Sequence, residues 1–362
     1  MSTSETPLVT IVMPATKTRF LAQAIGSALG QDYPELEVIV LDDGSPDPAM
    51  EPLLRGFAER EPERFRFASH DNVGQSETIN RGLELARGEL AGYLSDDDLL
   101  LPGAVSRLAA ALGAAPGAVV AYPGYEIIDE GGEVIDTITP TEYSVTESVR
   151  LHDAIVGAGA FFRVDAFRRI GGWDRGLRYR ADYDFWLRLG MLGEFVRVPE
   201  PLAAWRYHPA AGTVADAGLR MSNESLRVLD KLYAEEDLAE GLELVRGQAY
   251  RNAFIQAAMV LTLGGNDPGE RFFVHDRHMP KISRTAAAAG GGADALLSAQ
   301  VAQLDREVAA LRTELARRGE EVAYLGRPWW WRLGRRLAPP GLRPRLKRMA
   351  ARVRPGAGGP GA

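Results

Sequence analysis

Apolar positions along the chain arrive in short blocks that switch between two periods. Residues 8–13 form a β-branched and apolar run closed by Pro14, the pattern of a strand buried on both faces. Phe20, Leu21, Ala24, Ile25 and Leu29 then recur at helical spacing. Residues 37–41 make a second short strand, so the chain returns to the sheet as a βα unit with parallel strands. The cycle repeats with a strand at 65–69, a helix at 75–86, a strand at 90–94 and a helix at 102–112. This alternation predicts an α/β doubly wound sheet. Ligands in such sheets sit beyond the carboxyl ends of the strands, and here those positions are acidic.

From 118 to 206 the pattern is mixed, with strand-like 118–122, a helix at 182–191 and strand-like 195–198; we read this stretch as the acceptor-facing half. Residues 213–279 look helical, with Leu226, Leu229 and Leu232 on one stripe and no recognisable chemistry, which points to a structural role. The run 286–292 is four alanines and three glycines, a linker composition. Beyond it Leu297, Val301, Leu304, Val308, Leu311, Leu315, Val322 and Leu325 alternate four and three residues apart, with one gap where Arg318 falls on the seam. One amphipathic helix packed on the body would also fit, but spacing this regular favours a self-associating coiled coil. The expected division is therefore 1–212 catalytic, 213–285 helical extension, 286–292 linker, 293–325 coiled coil and 326–362 tail.

Composition changes this picture in two places. Cysteine is absent, which excludes disulfides, thiolate metal sites and a cysteine nucleophile, so any metal must be held by oxygen or imidazole. The net charge of −7 divides into +10 for residues 326–362, which hold no Asp or Glu, and −17 for the rest. That tail also carries Trp329, Trp330 and Trp331, and interfacial aromatics joined to cations suit an anionic membrane surface. A disordered solubilising tail has the same composition, and nucleic acid is disfavoured by the acidic body. No run approaches the ~18 apolar residues of a spanning helix, and residues 1–7 do not look like a signal peptide. The expected location is the cytoplasm, with peripheral attachment at the inner face of the membrane.

Three acidic clusters could carry chemistry. Asp42 and Asp43 end the second strand ahead of Gly44, where a plain Asp/Gly turn is the simpler explanation. Asp96, Asp97 and Asp98 follow the strand at 90–94. One Asp would cap a helix, whereas three adjacent carboxylates beside apolar sequence favour a hard cation such as Mg²⁺ or Mn²⁺. Asp182 and Asp184 open the helical pattern of Phe185, Trp186 and Leu189; helix capping or a general base both suit them. His208, after Arg206, is a lone histidine of the sort that more often packs than ligates.

In this order the residues resemble the family 2 glycosyltransferases. The resemblance covers about residues 8–210 and rests on Gln31, Asp32, Tyr33 and Pro34; on VIVLDDGSPD at 38–47; and on Asn72, Gly74 and Asn80. It continues through GELAGYLSDDDLLLP at 88–102, residues 171–174, DYDFWLR at 182–188 and PEPLAAWRYHP at 199–209. It implies a GT-A fold, a nucleoside diphosphate sugar donor, a divalent cation and inverting transfer to a glycan or lipid-linked acceptor. Carried over, Asp182 is the catalytic base. Pro14, Asp42, Asp43 and Asp96 lie at the nucleotide, Asp97, Asp98 and His208 at the metal, and Arg206 at a phosphate. The chain departs from the family where Ala15, Thr16, Lys17 and Thr18 follow Pro14 in place of an aromatic segment. It departs again at Ser95 and Ala181, where acidic residues are common. Two alternatives stand beside this one: a nucleotidyltransferase, although residues 14–20 lack the glycine-rich phosphate loop, and a catalytically silent scaffold, against which Asp43, Asp97 and Asp182 speak.

Overall fold

The computed structural model describes residues 6–152, 154–208, 218–235 and 238–263. All of them belong to one compact unit, Met1–Arg271. The linker, coiled coil and tail expected beyond residue 285 lie outside the described residues, as do 264–285 of the helical extension.

The first half is built as the sequence pattern predicts. Strand β1 (Val9–Ala15) is buried at every position and pairs in parallel with β2 (Leu36–Asp43) on one side and β4 (Leu90–Tyr93) on the other. β3 (Phe65–His70) extends the sheet beyond β2. Helix α1 (Leu21–Leu29) follows β1 and α3 (Gln75–Glu84) precedes β4. At Gly82 in α3 an added Cβ would overlap Val12 and touch Leu41 Cδ2 at 3.0 Å, so glycine is what lets this helix lie close on β1 and β2. At the end of the sheet where these strands begin, buried Thr10 donates to Glu37 Oε1 at 2.6 Å. Glu37 also accepts from Arg66 Nη2, Arg87 Nε and the Arg87 amide, each at 2.8 Å. A buried carboxylate is tolerated there because every lone pair is used.

The second half, where the sequence pattern is mixed, adds antiparallel strands to the parallel ones of the first. A short strand β5 (Leu99–Leu100) and helix α4 (Ala104–Ala114) lead into β6 (Ala118–Ile128), β7 (Val134–Ile138), α5 (Val145–Leu151), β8 (Phe161–Arg163) and α6 (Val164–Arg169). β8 wedges antiparallel between β4 and β6, while β9 (Glu194–Arg206) runs parallel to β6. The order is β3-β2-β1-β4-β8-β6-β9-β5, with β7 on β6, and the sheet is mixed. Helix α2 (Met50–Arg60), between β2 and β3, was not foreseen.

Helix α7 (Ala181–Leu192) is anchored by aromatic packing. Phe185 stacks on Trp173 with centroids 4.9 Å apart, and Phe162 lies 5.2 Å from Phe185 and 6.3 Å from Trp186. Asn80 of α3 clasps the peptide of Trp173 in both directions, donating to its carbonyl at 3.0 Å and accepting from its amide at 2.8 Å. Helices α8 (Gly218–Leu232) and α9 (Glu240–Leu263) pack against each other, and α9 also packs on α5. Among the described residues no helix is long and apolar enough to cross a membrane.

Candidate active site

The expected site residues lie at the ends of β1, β2 and β9, in the loop after β4 and at the start of α7. The loop after β4 is its centre. Asp96 Oδ2 accepts the amides of Thr16 and Lys17 at 2.9 and 3.1 Å, which ties the loop after β1 to the acidic cluster. Burial, reinforced by the Asp97 charge and opposed by those amides, pushes the Asp96 carboxyl up to about 6. Asp97 Oδ2 lies 3.0 Å from Nε2 of His208, an almost fully buried ring whose Nδ1 has no hydrogen-bond partner. Asp98, 6% exposed, accepts the Arg206 amide at 2.9 Å. Burial and then the neighbouring Asp97 charge hold it well above the usual carboxylate range. A small cavity opens here between Lys17, Arg19, Phe20, Asp96, Asp97 and His208.

Arg206 does not present its guanidinium as a phosphate contact. It is 1% exposed, and Nε donates to the Asp97 carbonyl at 2.9 Å. Nη1 reaches the carbonyls of Asp129 and Glu130 at 3.1 and 3.4 Å, and Nη2 reaches Gln23 Oε1 at 2.9 Å. The guanidinium also lies 4.4 Å from the Phe20 ring centroid, and Phe20 is 5.3 Å from the His208 ring. Arg206 and Phe20 thus brace the acidic loop and His208 from below. The cations that line the cavity are Lys17 and Arg19, which sequence reasoning missed.

The second strand delivers its two carboxylates differently. Asp42, half-buried, accepts the Ser45 amide at 2.8 Å. Asp43 is buried and accepts the amides of Val73 and Gly74 at 2.6 and 3.1 Å, so its carboxylate shapes the loop before α3. Gly44 makes this approach feasible, with a positive φ of 68° and no room for a Cβ against the Asn72 amide. Pro14 is buried within β1 opposite Leu41.

Asp182 stands in the first turn of α7, accepting the Tyr183 amide at 2.7 Å. Burial raises its carboxyl above the ordinary value, with the Arg180 charge opposing. Tyr93, at the end of β4, is edge-on to Trp173 at 4.9 Å. Burial first, then the charges of Asp182 and Asp98, push its phenol upward. Trp173 in turn stacks on Phe185 of α7, so the strand that leads into the acidic loop packs through Trp173 against the helix that carries Asp182. Among the described residues no three His, Asp or Glu side chains gather closely enough to form a complete metal site.

Comparison with known proteins fits this arrangement. Residues 10–171 match the model of the glycosyl transferase family 2. An uncharacterized glycosyltransferase of Rickettsia typhi is 29% identical over 215 residues, 57% of this chain and 66% of that protein. Chondroitin synthase of Escherichia coli is 28% identical over 194 residues, 53% of this chain and 28% of the synthase. This chain therefore covers less than two thirds of the length of either relative. Among solved structures, a mannosyltransferase from Pyrobaculum calidifontis in complex with GDP-Man and Mn²⁺ superposes with a TM-score of 0.53 at 18% identity. That superposition covers 83% of this chain and 81% of the mannosyltransferase. The similarity to glycosyl transferase family 2 thus lies at residues 10–171, the part of the chain that builds the strand-end site, and the solved structure shares its fold.

Proposed function

We propose that the protein transfers a sugar from a nucleoside diphosphate sugar to a hydroxyl acceptor with inversion at the anomeric carbon, in the synthesis of a cell-envelope polysaccharide or lipid-linked glycan. The observation that supports this most is the acidic loop after β4, where Asp97 meets His208, with Tyr93 at the end of that strand packed through Trp173 on Phe185 of α7, the helix that begins with Asp182. Relatives that include a chondroitin synthase support a polysaccharide acceptor.

Carboxylate and imidazole donors suit Mg²⁺ or Mn²⁺, and Asp97 with His208, and Asp98 beside them, are the groups that would hold the ion. When bound, such a cation supplies Lewis-acid stabilisation of the departing diphosphate. Lys17 and Arg19 line the same cavity and add positive charge for the phosphates. Pro14, Asp42 and Asp43 form the nucleoside edge of the cleft, Asp43 through the loop it shapes, and Asp96 locks the loop after β1 to the metal-binding loop. Asp182 takes the proton of the acceptor hydroxyl, and one displacement inverts the centre. Because burial raises its carboxyl, the acid limb of kcat/KM lies above the ordinary Asp value, and the rate falls as pH drops through it. The heptad pattern in the sequence of 293–325 would suit joining copies of the chain, and the basic, tryptophan-bearing composition of 326–362 suits an anionic membrane surface.

The test is nucleotide release from a panel of nucleoside diphosphate sugars with Mn²⁺, Mg²⁺ or EDTA, comparing wild type with Asp97→Ala. The expected result is cation-dependent release from one donor, lost in the variant. Turnover unaffected by EDTA and by the substitution would refute the assignment. A silent panel, with no cation-dependent binding by calorimetry, would favour the scaffold alternative.

A further inference from the structure

The loop that leads into α7 contains three consecutive amides, Arg178, Tyr179 and Arg180, aimed at one carboxylate that comes from α8. Glu224 Oε2 accepts them at 3.0, 2.6 and 3.0 Å, and Oε1 accepts the first again at 2.9 Å. Successive amides of this kind form a concave anion site, and Arg180 is the N-cap of α7, so the carboxylate also meets the positive end of that helix. Glu224 is 9% exposed and Ser225 2%. Ser225 Oγ accepts from Arg180 Nε at 2.9 Å. One and two turns further along the same face, Arg227 Nη1 donates to the Gly176 carbonyl at 3.0 Å, and Lys231 Nζ bridges Asp174 and Asp184 at 2.8 and 2.9 Å. Glu224, Arg227 and Lys231 are spaced i, i+3, i+7, so a single stripe of α8 spans the loop from Asp174 to the first turn of α7.

These groups are attached to the two sides of Asp182. The carboxyl of Asp182 lies in the first turn of a helix whose N-cap amide is held by Glu224, and whose Asp184, two residues on, is held by Lys231. We infer that Glu224 is a positioning residue for the candidate base Asp182, and that α8 is a working part of the catalytic unit rather than a scaffold appended to it. This rests on the assignment of Asp182 as base. Without a fixed N-cap the first turn frays, and displacement of a reacting group by about 1 Å can cost on the order of 10²-fold in rate. The Tyr183 amide donates to Asp182, and the charged and titratable groups whose fields couple to it are Arg180, Glu224 and Tyr93. Arg180 favours the ionised form of the base, whereas Glu224 opposes it.

The experiment compares wild type, Glu224→Gln, Glu224→Ala and Asp182→Asn by two readouts. The first is hydrogen–deuterium exchange of peptides covering 174–186, which needs no substrate. Faster exchange there in the Glu224 variants, with strands β1 to β4 unchanged, is expected; wild-type exchange in both overturns the inference. The second is cation-dependent hydrolysis of the donor selected by the nucleotide-sugar panel. Glu224→Gln keeps the shape and loses the charge, so kcat should fall roughly 10- to 100-fold with donor KM unchanged. Its acid limb should move to lower pH, because a negative charge beside the base is gone; a merely structural role would leave that limb in place. If Glu224→Ala fails to fold, Glu224→Gln alone decides. Inactive Asp182→Asn alongside a Glu224→Gln enzyme of wild-type kcat and pH profile refutes the positioning role. Full activity of Asp182→Asn instead removes the base, and the need to position it falls as well.

Discussion

Arg206 provides the sharpest test of how the site is held. Its guanidinium is 1% exposed and serves the carbonyls of Asp97, Asp129 and Glu130 and the amide oxygen of Gln23, over the face of Phe20. Truncation in Arg206→Ala strips donors from four acceptors, and each buried polar group left unsatisfied costs about 1–3 kcal/mol. The straight sum overstates the loss, since water can enter the space and reach some of the carbonyls. Removing one member of a buried charged network costs about 3–5 kcal/mol, and we take that figure. At roughly 2–4 °C per kcal/mol for a domain of this size, Tm should fall by about 6–20 °C. Arg206→Lys keeps a cation near Phe20 but cannot fork among four acceptors, so its Tm should lie between the two. Differential scanning fluorimetry measures Tm, and donor titration measures KM. A drop smaller than about 2 °C, combined with a donor KM raised tenfold or more, would refute the bracing role and return Arg206 to the phosphate.

Two further predictions concern the sheet. Gly82→Ala should destabilise by about 1–2 kcal/mol, because overlap with Val12 in the core outweighs the gain in helix propensity of nearly 1 kcal/mol. Gly26→Ala, on the exposed side of α1 with nothing within 4 Å, should stabilise by about 0.5–1 kcal/mol. Equal effects of the two in urea denaturation would contradict the close packing of α3. Burial opposes ionisation of Glu37, yet bonds from Thr10, Arg87 and Arg66 outweigh it and hold the carboxyl below its ordinary value. A depressed folded-state value means the stabilisation is present above the unfolded value of about 4.3 and is lost as pH falls through the folded one. The stability gap between wild type and Glu37→Gln should therefore be wide at pH 7 and narrow toward pH 3. A gap independent of pH would show that the carboxylate's charge contributes nothing.

What the sequence revealed and what it concealed separate along one physical line. Asp42, Asp43, Asp96, Asp97 and Asp98 were legible because each follows a short apolar block, and a strand places its successor at the sheet edge whatever the rest of the fold does. Helix α2 was hidden because only Met50 and Leu54 of its eleven residues are buried, with Pro52 and Gly56 interrupting the stripe, so no period of 3.6 stands out. β8 has three residues and owes its place to partners at 90–92 and 120–121, which no local pattern encodes. The bracing contacts of Arg206 were hidden for the same reason: its acceptors at 23, 97, 129 and 130 come from four places in the chain. Glu224, 44 residues beyond the amide of Arg180, was invisible for that reason too. Local pattern thus reports where the strand-end carboxylates lie. What orients the site comes from distant chain, and so the apolar stripe of α8 concealed a polar stripe that grips the loop ahead of Asp182.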